Sequence, residues 1–252
     1  MLNVNKIHCI KALNGLQELA DKSIDLVVTD PPYFIENLVK NMKDQTLRKP
    51  SRNNIFFNEF DHFKSRGDYV NFITSHLVQI KRVLKDKAQV YMFMSYHHID
   101  WFIQLVKMLG FRYYKPLIWY KPDTMGVFPN QYGCNYEMYL WFRNDGDDGS
   151  VKNHIGCKQR DVYVKNSTNI TYLKECGFHP TPKPIELFRR LIKNGSNAGD
   201  IILDPFMGSG TTAVAAKQTQ RNFIGFEINP DYIKIGERRL AQNTMLDLSG
   251  YI

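Results

Sequence analysis

Short apolar runs rich in β-branched and aromatic residues recur along the chain, separated by stretches whose apolar residues fall at helical spacing. Residues 24–29 (Ile-Asp-Leu-Val-Val-Thr) form one such run, and residues 89–96 form another behind a helix-like stretch over 69–84. Two more, 112–120 and 137–142, follow with little but turn residues between them. The runs at 200–203 and 222–226 close the series around a helix expected at 211–218. Strands that are apolar on both faces and alternate with helices predict an α/β fold, a mostly parallel sheet covered by helices on both sides. The 112–120 and 137–142 pair lacks a helix-length connection, so it is expected to be antiparallel.

Two segments break the pattern. Residues 34–54 carry Lys40, Lys43, Arg48, Lys49 and Arg52 against Glu36 and Asp44. Residues 144–177 open on Asn-Asp-Gly-Asp-Asp-Gly-Ser and go on through Lys152, Lys158, Arg160 and Lys165. Irregular loops this long inside a compact domain are usually functional or disordered. Both segments are candidate surfaces for a large ligand.

The end of the 24–29 run is unusual, because Asp30-Pro31-Pro32-Tyr33 finishes an apolar strand with an acid, two residues lacking a backbone donor, and an aromatic ring. A carboxylate accepts hydrogen bonds only, and prolines offer carbonyls but no N–H. The tetrapeptide is thus a rigid acceptor cradle beside an aromatic face, which complements a planar heterocycle bearing an amino group. Acceptors around such an amine favour a pyramidal nitrogen with a localised lone pair and stabilise the positive charge that develops there during alkylation. Tyr33 is placed to stack on the ring and orient it. A base inside a duplex reaches such a pocket only by flipping out.

At the other end of the chain, Asp204-Pro205-Phe206-Met207-Gly208-Ser209-Gly210-Thr211-Thr212 reads as strand, tight turn and helix start. The lysine of a phosphate loop is missing, and an acid stands four residues before the first glycine. A carboxylate there suits an ammonium or hydroxyl better than a pyrophosphate. The following strand ends in Glu227, which can accept from a ribose diol. The ligand implied has a ribose and a cationic end, and S-adenosylmethionine has both.

Composition fits these motifs without identifying them. The 252 residues suffice for one large α/β domain or two small ones, and 33 Lys plus Arg against 25 Asp plus Glu leave a formal charge of +8. That balance favours a polyanion such as nucleic acid. Cys9, Cys134, Cys157 and Cys176 form no Cys-x-x-Cys pair, and the histidines show no metal-ligand spacing, so no metal is expected and reduced thiols in a cytoplasm are. No secretion signal is visible at the N-terminus, and no apolar run is long enough for a membrane span.

In combination and order, the two motifs resemble those of the beta-group, circularly permuted amino-methylating DNA methyltransferases. Asp30-Pro31-Pro32-Tyr33 matches the family's catalytic tetrapeptide, residues 204–212 its cofactor loop, and Glu227 its ribose-binding acid. His179-Pro180-Thr181-Pro182-Lys183-Pro184 resembles the segment that opens a helix beside the cofactor, which places Lys183 with the cofactor set. Trp119-Tyr120-Lys121-Pro122 and Tyr136-Glu137 echo weaker family patterns. Where the family usually has an acid near the cofactor's adenine, this chain has Lys11.

The resemblance implies a single Rossmann-like, seven-stranded methyltransferase domain over 1–252. It implies methyl transfer from S-adenosylmethionine to a flipped-out base in double-stranded DNA, with adenine N6 favoured by the Asp form of the tetrapeptide. Cytosine N4 or RNA is the alternative acceptor, and a degenerate methylase acting as a DNA-binding module is the non-enzymatic one. Arg48, Lys49, Arg52, Lys152, Lys158 and Arg160 become candidate phosphate or base contacts, with residues 144–177 as a short target-recognition insertion. Members of this family are bacterial or phage-encoded, often work beside a separately acting restriction endonuclease, and are compatible with homodimers.

Overall fold

Strands from the two ends of the chain pair in parallel to build the middle of the sheet. In this computed structural model, residues 2–34, 63–123, 134–145, 159–166 and 183–248 are described. Arg48, Lys49, Arg52, Lys152, Lys158 and residues 179–182 lie outside that set, as do most of the segments 34–54 and 144–177. Strands β1 (Lys6–Cys9), β2 (Ile24–Thr29), β3 (Leu84–Met94), β4 (Phe111–Tyr120), β5 (Tyr136–Asn144), β6 (Val162–Val164), β7 (Ile201–Asp204) and β8 (Asn222–Glu227) form a single sheet. Its order is β1-β8-β7-β2-β3-β5-β4-β6.

Among the described strands only β5 runs against its neighbours. It is antiparallel to both β3 and β4, while the β1–β8, β8–β7, β7–β2, β2–β3 and β4–β6 pairs are parallel. The expected antiparallel pair is therefore present. Among the described residues the sheet has eight strands rather than the expected seven. The three-residue β6 on the edge is too short, and too deep in a polar segment, to stand out by pattern.

Helices cover both faces, as double-sided apolar strands require. On one face lie α1 (Ala12–Glu18), α2 (Arg66–Val83) and α3 (Ile99–Met108), packed through Leu16, Ile73, Leu77, Ile80 and Val106 against Val27, Val90 and Met92. On the other lie α4 (Ile185–Gly195), α5 (Thr211–Gln218) and α6 (Pro230–Leu248). Their Leu187, Phe188, Leu191, Ala213 and Ile233 meet Leu26, Val28, Tyr91 and Phe93. The strict alternation of strand residues between the two cores is the two-residue pleat at work. Local signals start and stop these helices. Ser65 caps α2 by accepting from the Asp68 N–H at 3.1 Å, and Lys81 and Arg82 occupy its last turn, where cations favour the helix dipole. Among the described residues no helix is long and apolar enough to cross a membrane.

Candidate active site

In a parallel sheet the carboxyl ends of the strands form one rim, where ligands of open α/β folds bind. The register of β2 on β7, Leu26 with Ile202 and Val27 with Leu203, brings Thr29 and Asp204 to that rim together. Thr29 donates its hydroxyl to Asp204 Oδ1 at 2.7 Å. The two motifs, some 170 residues apart in the chain, are thus fastened to each other at adjacent strand ends.

Asp204 is the centre of the glycine loop. Its Oδ1 also accepts from the Phe206 N–H at 3.0 Å, and Oδ2 accepts from the Thr212 hydroxyl in the first turn of α5. Gly208 and Gly210 bend the backbone through φ values of 52° and 83°, which disfavour any side chain. Glu227 closes the other side: its carboxylate accepts from the N–H groups of Gly208 at 2.9 Å and of Ile228 and Asn229 at 2.8 Å. From α6, buried Arg239 donates to the Ser209 carbonyl at 2.6 Å, the Ser209 hydroxyl at 3.2 Å and the Thr211 hydroxyl at 3.3 Å. The side chains of Asp204, Ser209, Thr211 and Thr212 therefore brace the loop from inside, and Pro205 is buried with them. Phe206, Gly208 and Glu227 stay partly exposed.

Burial pushes the Asp204 carboxyl up to about 6, against the pull of the Thr212 and Thr29 hydroxyls and the Phe206 N–H. An unfolded aspartate titrates near about 3.9. Between these values the folded protein holds a proton that the unfolded chain has lost, so stability from this group falls as pH rises from about 4 to 6. Asp204→Asn keeps an acceptor for Thr29 and Phe206 without the buried charge. It is expected to flatten that decline by roughly 3 kcal/mol, read from denaturant unfolding across the same interval. A decline as steep as the native one would show that another group sets it.

Asp30 leaves β2 one residue beyond Thr29 and is half-buried. Its Oδ2 pairs with the Lys183 ammonium at 2.6 Å, and its Oδ1 accepts from the Tyr33 hydroxyl. Of the two proline carbonyls, that of Pro32 accepts from the Tyr69 hydroxyl at 3.0 Å. No described residue donates to the Pro31 carbonyl, which leaves it as the backbone acceptor beside Asp30. Tyr69 is set by an aromatic cluster: Phe34 stacks on it with centroids 5.6 Å apart, and Trp101 meets it edge-on at 5.8 Å. His98 lies buried in the same cluster, with Nε2 3.3 Å from the Phe34 carbonyl oxygen, so it packs there.

Two further residues of the site, Glu137 and Lys121, lie in the weaker patterns Tyr136-Glu137 and Trp119-Tyr120-Lys121-Pro122, which assigned them no role. Because β5 is reversed, it delivers its first residues to the rim where its neighbours deliver their last, and Met138 pairs with Met94. Glu137 is thereby placed with Oε2 3.1 Å from the Lys183 ammonium, while its Oε1 accepts from Lys121, just beyond β4, at 3.1 Å. Lys183, expected in the cofactor set, stands between the acids Asp30 and Glu137, and only 5% of it is exposed. Burial raises the Asp30 carboxyl, with Lys183 opposing and Glu137 adding to the rise. For Glu137 burial also acts upward, but Lys183 and Lys121 overcome it and hold the carboxyl below its usual range. Lys183 is raised despite burial, because both acids favour its charge. Burial and Asp30 hold the Tyr33 phenol far above its ordinary value, so it remains a donor. Arg160 is exposed, two residues before β6, and its carbonyl accepts from Arg190 of α4 at 2.5 Å. That places it at the end of β6 away from Val164, whose partner Tyr120 adjoins Lys121.

A family model described as DNA methylase matches residues 24–238. The chain is 28% identical over 254 aligned residues to the Type II methyltransferase M2.MboI of Moraxella bovis, covering 96% of this chain and 88% of that protein. Among solved structures, M1.HpyAVI in complex with SAM superposes with a TM-score of 0.66 at 24% identity, over 93% of this chain and 98% of that one. PvuII DNA methyltransferase, cytosine-N4-specific, superposes with a TM-score of 0.71 at 18% identity, over 94% and 89% of the two chains. At these identities the superpositions establish the shared fold.

Proposed function

The chain belongs to the DNA methylase family, and on that footing we propose that it methylates the N6 amine of an adenine flipped out of double-stranded DNA, with S-adenosylmethionine as donor. One observation carries the proposal. The bond between Thr29 and Asp204 sets Asp30 and its proline carbonyl on the same rim as the Gly208–Gly210 bend. The residues of the bend fit the donor, since Glu227 is a partly exposed acceptor-only carboxylate suited to a ribose diol and the glycines let the backbone approach without Cβ obstruction. When bound there, S-adenosylmethionine supplies an electrophilic methyl group on a sulfonium sulfur.

The chain's own groups do the rest. Asp30 and the Pro31 carbonyl accept hydrogen bonds from the two N–H groups of the amine, which localises the nitrogen lone pair and stabilises positive charge as it builds there. To admit the amine, Tyr33 gives up its bond to Asp30 and lays its ring against the base. Positioning dominates the rate, because the flipped base must present its nitrogen in line with the methyl group. An acid at position 30, rather than a serine, supports adenine over cytosine. Residues 34–54 and 144–177 are assigned to DNA contact, with Arg48, Lys49, Arg52, Lys152, Lys158 and Arg160 as phosphate or base partners.

Mass analysis of nucleosides from DNA and RNA incubated with the protein and S-adenosylmethionine tests this. N6-methyladenine in DNA is expected. N4-methylcytosine would overturn the base assignment, methylation confined to RNA would overturn the substrate, and no transfer with retained DNA binding would favour a binding module.

A further inference from the structure

We propose that Lys183 is the positioning residue of the catalytic carboxylate, and that Glu137 divides its charge with Asp30 and so tunes the acceptor that meets the base. The proposal rests on the functional assignment above and concerns the same site. Its basis is the alternating row Lys121, Glu137, Lys183, Asp30, with successive contacts of 3.1, 3.1 and 2.6 Å. These groups come from the end of β4, the start of β5, the segment before α4 and the end of β2. The row alternates plus and minus, so its formal charges cancel. A buried ammonium without partners is strongly disfavoured, and Lys183 is almost wholly enclosed, its Nζ 5.3 Å from the Phe93 ring centre and 5.7 Å from that of Tyr33.

An architectural ion pair alone does not need this arrangement. The ammonium takes Oδ2 of Asp30 and leaves Oδ1 to a neutral phenol, the weaker and more easily displaced partner. The face of Asp30 that a target amine would use is therefore the one Lys183 does not hold. Protonation of Asp30 would turn that acceptor into a donor pointing at the amine. Lys183 opposes protonation, whereas Glu137 favours it, both through its own charge and by drawing on Lys183. The groups facing Asp30 are Tyr33 from its own loop, Lys183 before α4, Glu137 on β5 with Lys121 behind it, and Asp204 on β7. Tyr69 of α2 reaches the adjoining Pro32 carbonyl.

Opposite displacements of the acid limb follow. In Lys183→Met, the rise of kcat/KM with pH is expected to move upward by about one unit or more, with at least about a tenfold loss on the acid limb and S-adenosylmethionine affinity within about twofold of native. Lys183→Arg should restore part of the loss. In Glu137→Gln the limb is expected to move downward, because an anion is removed and Lys183 belongs to Asp30 alone. The measurement is methylation of duplex DNA by the full chain across pH, paired with calorimetric S-adenosylmethionine binding. Should Lys183→Met not fold, Lys121→Met carries the test, since Glu137 would then draw harder on Lys183 and the limb should rise. Unmoved limbs in these variants overturn the proposal, as does a Lys183→Met protein whose main defect is a tenfold or greater loss of S-adenosylmethionine affinity. Failure of the native protein to methylate nucleic acid is a separate outcome, which sinks the functional assignment itself.

Discussion

Replacing Asp30 by asparagine is expected to lower the methylation rate by about three orders of magnitude while leaving S-adenosylmethionine affinity unchanged. The substitution preserves volume, so what it tests is the identity of the groups on two atoms. Lys183 stands 2.6 Å from Oδ2 and can only donate, which would turn the amide carbonyl of the variant toward it. The amide NH2 would then occupy the place of Oδ1, facing the target amine with a donor where an acceptor is needed. The site would lose its principal acceptor and also repel the substrate's own N–H groups. Binding of the cofactor should survive, because the loop around Gly208 and Gly210 is braced through Asp204, Glu227 and Arg239. Single-turnover transfer of labelled methyl, set beside calorimetric binding, reads both quantities. Turnover within tenfold of native would remove Asp30 from the chemistry, and a parallel loss of affinity would make it a structural acid instead.

What the sequence disclosed, and where it fell silent, follows the range of the interactions involved. The expected helix at 211–218 coincides with α5, because a glycine bend and a run of small residues are local signals. β3 begins at Leu84 rather than at 89. Residues 84–88, Leu-Lys-Asp-Lys-Ala, look like a turn, and they pair irregularly: the register on β2 shifts between Ile24 and Leu26, and Lys87 has a φ of 67°. Both ends of the candidate site were legible as tetrapeptide and loop. The links between them were not. The Thr29–Asp204 bond spans 175 positions, and Lys183 reaches Asp30 from another remote stretch of chain. The missing helix-length connection foretold the reversal of β5, but not that the reversed strand would set Glu137 against Lys183.

Valine at position 210 is expected to cost the fold about 3 kcal/mol and to weaken S-adenosylmethionine binding by about a hundredfold. Gly210 sits at a φ of 83°, where a β-branched residue is strained by about 1–2 kcal/mol. Space is also lacking: a Cβ there would lie 2.9 Å from Gly236 Cα and 3.5 Å from Ile7 Cδ1. The first of these is backbone of α6, which cannot swing aside as a side chain can. Gly236 is equally constrained, its own added Cβ falling 2.6 Å from Ile7 Cδ1, so the two glycines form a close crossing between α6 and the start of α5. Relief would require the loop or the helix to move. Either motion would pull the Gly208 N–H away from Glu227 and Ser209 away from Arg239, undoing the surface to which ribose is assigned. Gly199 supplies the control, because it has a similar φ of 86° with nothing within 4 Å of an added Cβ, so valine there meets the strain but not the collision. For a chain of this size 3 kcal/mol corresponds to a fall in melting temperature of about 10 °C. Thermal unfolding of the two valine variants, with calorimetry on each, separates the effects. Equal losses at 199 and 210 would show that backbone strain alone matters and that the glycine crossing does not shape the cofactor loop.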